Sequence, residues 1–225
     1  MHIVVGASRG IGYALVQDLI GQGQDVVALS RNTSSLKEID SPYLTVYSLD
    51  LGDETAIADF FKEALDWSKL RSVVYCAGLL LNKPFTSISR SDWRRIYDTN
   101  VFGPSEFCQG VITKTGLDQE VRHLFIGSMG GFQGSAKFPG LSAYSSSKAA
   151  VSCVSECLAE EYKESSHSFN TLSIGAVQTE MLEEAFPGYE APVSPAEMAR
   201  FISELIGLQK ILFNGKNIPV SLSTP

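Results

Sequence analysis

Tyr144 and Lys148 stand four residues apart in Tyr144-Ser145-Ser146-Ser147-Lys148, a spacing that places both side chains on one face of a helix. A free phenol titrates near ~10 and is a poor general base at neutral pH. A neighbouring ammonium that favours the ionised form makes a tyrosine usable for proton transfer. A second cluster, Gly6-Ala7-Ser8-Arg9-Gly10-Ile11-Gly12, follows a strand-like run and opens an amphipathic stretch. Glycines in that position allow a sharp turn and bring backbone N–H groups against a pyrophosphate, which also gains from the positive end of the helix dipole. A third, Ser30-Arg31-Asn32, closes the next strand-like run without an acid. A carboxylate there would bind an adenosine ribose and repel a 2′-phosphate, whereas arginine pairs with that phosphate through charge-assisted bonds. The three clusters together predict a dinucleotide cofactor, NADP(H) in preference to NAD(H), beside a tyrosine that moves a proton.

Elements of regular spacing must carry these residues. Short β-branched or aliphatic runs cover 2–5, 25–30, 44–49, 72–76, 121–127, 170–174 and 217–220, with helical periodicity between them, as in Ile11, Leu15 and Leu19 or Ala150, Val154, Cys157 and Leu158. Each parallel pair needs a long crossover, so the alternation predicts an α/β fold: a doubly wound, Rossmann-type parallel sheet of about seven strands with helices on both faces. No repeat, low-complexity tract or linker divides the chain, and one domain is expected over 1–225. Ligands in such sheets bind beyond the carboxyl ends of the strands, where strand order reverses.

The glycine spacing at 6, 10 and 12, the Tyr144/Lys148 pair, Ser128 in Ile126-Gly127-Ser128-Met129-Gly130 and Asn100 in Asp98-Thr99-Asn100-Val101 together resemble the classical short-chain dehydrogenase/reductase family. The matching motifs span most of the chain. The resemblance implies a catalytic tetrad: Tyr144 as general acid/base, Ser128 orienting and polarising the substrate oxygen, Lys148 holding the nicotinamide ribose and lowering the pKa of Tyr144, and Asn100 supporting a water-linked proton path to Lys148. It also implies a 2′-phosphate clamp from Arg9 and Arg31, with Asn32 beside them, and an adenine neighbour at Asp50-Leu51. Ala77-Gly78 matches the second half of a family motif, and Gly175-Ala176-Val177-Gln178-Thr179-Glu180-Met181 resembles the segment that meets the nicotinamide end through Gly175, Val177 and Thr179. The implied activity is interconversion of a carbonyl and an alcohol, with no substrate named. A homo-oligomer, dimer or tetramer, is implied through helices beginning near Asn100 and Tyr144.

Val5 stands where the family commonly has threonine, Tyr75-Cys76 where it has two asparagines, and Ile174 where it has proline. The connection over 130–140 is slightly longer than usual, and Phe132, Phe138, Leu79 to Leu81, Met181, Phe186 and Tyr189 are expected to line an apolar substrate pocket. Residues 180–194 read either as a substrate lid or as an ordinary surface loop, ahead of a helix starting near Ser194-Pro195. A non-catalytic dinucleotide-binding regulator of the same fold is the alternative function. An epimerase of the extended family branch ranks below it, because little chain follows Met181.

A formal net charge of -7 with no basic stretch argues against nucleic acid as a partner. No leader pattern opens the chain and no apolar run reaches membrane-spanning length, so a cytoplasmic protein with no membrane role is expected. Four cysteines without a CxxC read as reduced thiols, Cys153 and Cys157 as core packing. His2, His123 and His167 read as isolated, and no metal site is expected.

Overall fold

The computed structural model describes residues 1–208 and 212–222. Seven strands, β1 (His2–Val5), β2 (Val26–Ser30), β3 (Leu44–Ser48), β4 (Ser72–Tyr75), β5 (Val121–Ile126), β6 (His167–Ile174) and β7 (Lys216–Val220), form one sheet in the order β3-β2-β1-β4-β5-β6-β7. Every neighbouring pair is parallel. The order reverses between β1 and β4, and the cleft expected of a doubly wound sheet opens there. β6 begins three residues before the expected run, because polar His167 and Ser168 pair with Val121 and Arg122 and so extend the ladder beyond the apolar segment.

The helices are α1 (Gly10–Gly21), α2 (Ser34–Lys37), α3 (Glu54–Phe60), α4 (Arg90–Tyr97), α5 (Gly103–Thr115), α6 (Ser142–Glu161), α7 (Glu180–Ala185) and α8 (Pro195–Gly207). Alternate residues of each strand face opposite layers. Ile3, Val5, Val27, Leu29 and Phe125 pack with Ile57, Phe60, Phe107, Val111 and Val151 of α3, α5 and α6. Val4, Ala28, Val74, Leu124 and Leu172 pack with Leu15, Val16 and Leu19 of α1 and with Met198, Ala199 and Ile202 of α8. Burial on both faces explains why the central strands read as unbroken apolar runs. α8 starts where expected: Pro195 occupies its first turn, and Ser194 and Glu197 cap each other reciprocally.

Three readings need correction. The histidines are not isolated: His123 Nε2 lies 3.0 Å from His167 Nδ1, His123 Nδ1 lies 3.1 Å from the Tyr75 hydroxyl and 3.4 Å from Cys108 Sγ, and His167 Nε2 lies 2.7 Å from the Gly116 carbonyl oxygen. Cys153 and Cys157 are exposed on α6, whose inward face is taken by Ser147, Lys148, Val151, Ser152, Ser155 and Ala159. No helix begins at Asn100. α4 runs through a π-helical turn, Asp98–Phe102, directly into α5, and Asn100 points inward from that turn.

Candidate active site

The glycine loop forms one wall of the cleft, with Gly6, Ser8, Arg9, Gly10, Ile11 and Gly12 all on its surface. Gly6 turns the chain at φ 86°, and a Cβ on Gly12 would collide with the Gly6 carbonyl oxygen, so α1 can start this close to β1 only without a side chain there. Arg9 makes no side-chain cap and the first turn of α1 holds no acid. The N–H groups that open α1 thus face the cleft with no anionic neighbour in their own turn, an arrangement that fits a pyrophosphate.

Where β2 and β3 end, Arg31 and Asp50-Leu51 line the wall. Asp50 accepts a hydrogen bond from Gly52 N–H at 2.9 Å, while the cap of α3 is Asp53, so Asp50 is left facing the cleft. Asn32 turns away and accepts from Ser34 N–H at 2.9 Å, off the cleft surface. Arg9 reaches toward Glu184 of α7 at 3.9 Å, both side chains being largely exposed.

Ser128, Tyr144 and Lys148 meet beyond Ala77-Gly78, where β4 and β5 end. Burial pushes the Tyr144 phenol pKa up, and the neighbouring Ser128 hydroxyl pulls it back. Lys148 sits with Nζ 5.9 Å from the centre of the Tyr144 ring and donates to the Ile126 carbonyl at 2.8 Å. Burial lowers the Lys148 pKa to about 8, partly offset by the Cys76 thiol. Gly131 lets the loop after Ser128 lie against α6, since a Cβ there would press into the backbone of Lys148 and Ala149.

Gly175, Val177 and Thr179 line the far wall, and Thr179 Oγ1 accepts from Leu182 N–H at 3.2 Å to cap α7. Of the expected apolar lining, Leu80, Phe138, Met181 and Phe186 reach the cleft, joined by Leu141, Leu182 and Ala185; Phe132, Leu79, Leu81 and Tyr189 do not. Asn100 also stays behind the wall, where Thr99 takes the surface position. Among the described residues no group of three or more His, Cys, Asp or Glu side chains could hold a metal ion, and no helix is long and apolar enough to cross a membrane.

The pattern of the short chain dehydrogenase family matches residues 1–190. The chain belongs to the short chain dehydrogenases. A short chain dehydrogenase/reductase of Aspergillus versicolor is 31% identical over 207 residues, 84% of this chain and 70% of that protein. Among solved structures, a 4-hydroxyisoleucine dehydrogenase complexed with NADH matches at a TM-score of 0.86, covering 98% of this chain and 96% of its own at 24% identity. A closed serine dehydrogenase complexed with NADP+ matches at 0.82, covering 98% and 93% at 21% identity. At these identities the structural likeness is one of fold.

As a short chain dehydrogenase this chain holds its central strand in its own way. Tyr75 is buried, stacks on Phe125 at 4.3 Å and joins the histidine chain, whereas Cys76 enters the cleft wall near Lys148. Burial raises the Cys76 thiol pKa to about 12. Ile174, in place of proline, continues the ladder opposite Val220 and accepts from Met129 N–H at 2.8 Å, which fixes the strand end beside Ser128.

Proposed function

We propose that this short chain dehydrogenase interconverts a carbonyl and an alcohol with NADP(H), Tyr144 serving as general acid/base. The observation that carries the reading is one cleft holding both the uncapped N-terminus of α1 and the Ser128–Tyr144 pair set against the buried Lys148. When bound, a nicotinamide dinucleotide supplies or takes up the hydride. In the reductive direction the Tyr144 hydroxyl gives its proton to the substrate oxygen as the carbonyl π bond opens, and recovers one from solvent. Ser128, on the same cleft wall as the phenol, orients that oxygen. Lys148 holds the nicotinamide ribose, and Asn100 supports the proton path from behind the wall.

Arg9 and Arg31 favour a 2′-phosphate, because Arg9 lies in the glycine loop, Arg31 follows β2, both line the cleft, and no carboxylate closes that strand. Residues 180–194 act as a lid over the substrate, with α7 supplying its inner face. A homo-oligomer through the outer faces of α5 and α6, which expose Cys153 and Cys157, completes the proposal. Two exposed reduced thiols suit a cytoplasmic setting.

Titration of the purified chain with NADPH and NADH, followed by a panel of carbonyl compounds, tests the reading. Preferential NADPH binding with turnover is expected. Tight binding without any turnover would favour the non-catalytic regulator, and binding of neither nucleotide would overturn the proposal.

A further inference from the structure

Resting on the oxidoreductase reading, we infer that the substrate is a compact, uncharged, apolar ketone or aldehyde, or the matching alcohol, and not one bearing a carboxylate. Beyond Tyr144 the cleft is walled by Leu80, Phe138, Leu141, Met181, Leu182 and Phe186. The charged side chains that line the cleft are Arg9, Arg31, Asp50, Lys148 and Glu180. Arg31 and Asp50 stand at the end of β2 and β3, Arg9 is drawn toward Glu184 at 3.9 Å, and the Glu180 carboxylate lies over the glycine loop, 3.8 Å from where a Cβ on Gly10 would be. Lys148 donates to the Ile126 carbonyl, and in the proposed mechanism its remaining donors hold the nicotinamide ribose.

Two lysines border the apolar end, and both are engaged away from it. Lys83 pairs with Asp92 at 2.9 Å, and Lys137 donates to the Phe132 carbonyl at 2.7 Å and to Ser135. Neither lines the cleft. A substrate carboxylate would therefore lose its water against hydrocarbon with no cation to receive it. Each methylene buried on the same wall instead gains about fourfold in binding.

Packing of three segments limits the size of the occupant. Phe138 meets Phe186 edge-to-face at 5.1 Å, Asn82 Nδ2 donates to the Ala185 carbonyl at 3.1 Å, and Lys83 N–H donates to the Gly140 carbonyl at 2.9 Å. The connection before α6, the loop after β4 and α7 are thereby joined around the apolar end. Arg94 and Arg95, a basic pair exposed on α4, do not line the cleft.

The test uses the whole chain with NADPH and two series matched in carbon number: methyl ketones from 2-butanone to 2-octanone, with acetophenone, and 2-oxo acids from 2-oxobutanoate to 2-oxooctanoate. We expect kcat/KM for the ketones to exceed that for the acids by at least about tenfold and to rise with each methylene until the aromatic wall is met. Phe186→Arg, checked for folding by its NADPH titration, should narrow or invert that ratio. Phe138→Ala should extend the ketone series to bulkier members. Equal or faster turnover of the oxo acids overturns the substrate class and leaves the oxidoreductase reading intact. If neither series consumes NADPH, and the matching alcohols do not reduce NADP+, the oxidoreductase reading falls and the substrate class with it.

Discussion

Asn100 grips Leu79 by both ends of one amide: its Oδ1 accepts from Leu79 N–H at 2.7 Å, and its Nδ2 donates to the Leu79 carbonyl at 2.9 Å and to Ser147 Oγ at 2.9 Å. Ser147 in turn donates to the Tyr144 carbonyl at 2.7 Å. One side chain on the π-helical turn thus ties the loop after β4 to the helix that carries Tyr144 and Lys148. Asn100→Ala strands the half-buried Leu79 N–H and carbonyl and should cost about 2 kcal/mol of stability. Urea denaturation measures that loss, and Ser147→Ala, which keeps the Leu79 pair, should cost less.

Tyr144→Phe removes one hydroxyl from the cleft wall and leaves the half-buried ring in place. Turnover should fall by a factor on the order of 10²–10⁴, the usual worth of a positioned acid or base. Nucleotide affinity, read by titration, should stay near that of the parent chain. Unchanged turnover would remove Tyr144 from the chemistry.

Arg31→Asp replaces the proposed phosphate partner with a charge like the phosphate's own at the end of β2. NADPH affinity should drop at least about tenfold, as expected for loss of a charge-assisted hydrogen bond, while NADH affinity changes little or improves. Parallel binding titrations decide it. Equal losses for the two nucleotides would place Arg31 outside the phosphate site.

Acid should destabilise the fold from within. Burial holds His2 down at about 4 and His123 and His167 below the ordinary histidine value. For such groups the unfolded chain binds more protons below pH 6.5, so stability is fully present above that pH and declines as pH falls toward the folded pKa. His2 alone should remove about 2 kcal/mol between pH 6.5 and 5. His2→Gln should flatten that part of the urea stability profile.

Much of the architecture was legible because burial on both faces leaves a direct mark: apolar runs for strands and helical periodicity between them. The glycine loop, the Tyr144/Lys148 spacing and Arg31 were legible because each depends on residues adjacent or four apart. What stayed hidden depends on register or orientation. Tyr75 and His123 are 48 residues apart and His123 and His167 are 44 apart, and only strand pairing brings them together. The spacing of Cys153 and Cys157 fixes a shared face but not whether that face looks inward. Asn32 carries the right chemistry for a cofactor neighbour, yet Ser34 N–H draws its side chain into a local turn. Of two phenylalanines in one connection, only Phe138 reaches the cleft, a choice made by the fold of 130–140 and by the glycine backbone that presses this segment against α6.

The histidine chain also has a polarity imposed from one end. The Gly116 carbonyl oxygen can only accept, so His167 must carry its proton on Nε2 and leave Nδ1 bare. His123 must then present Nε2–H to that bare nitrogen, which leaves its own Nδ1 open to the Tyr75 hydroxyl and the Cys108 thiol. A single main-chain oxygen on the turn before β5 therefore dictates the tautomer of two rings and the direction of a phenol at the end of β4. Nitrogen resonances of both imidazoles should each report one fixed tautomer rather than an average, making the sheet interior a readable clock for when this side of the fold has locked.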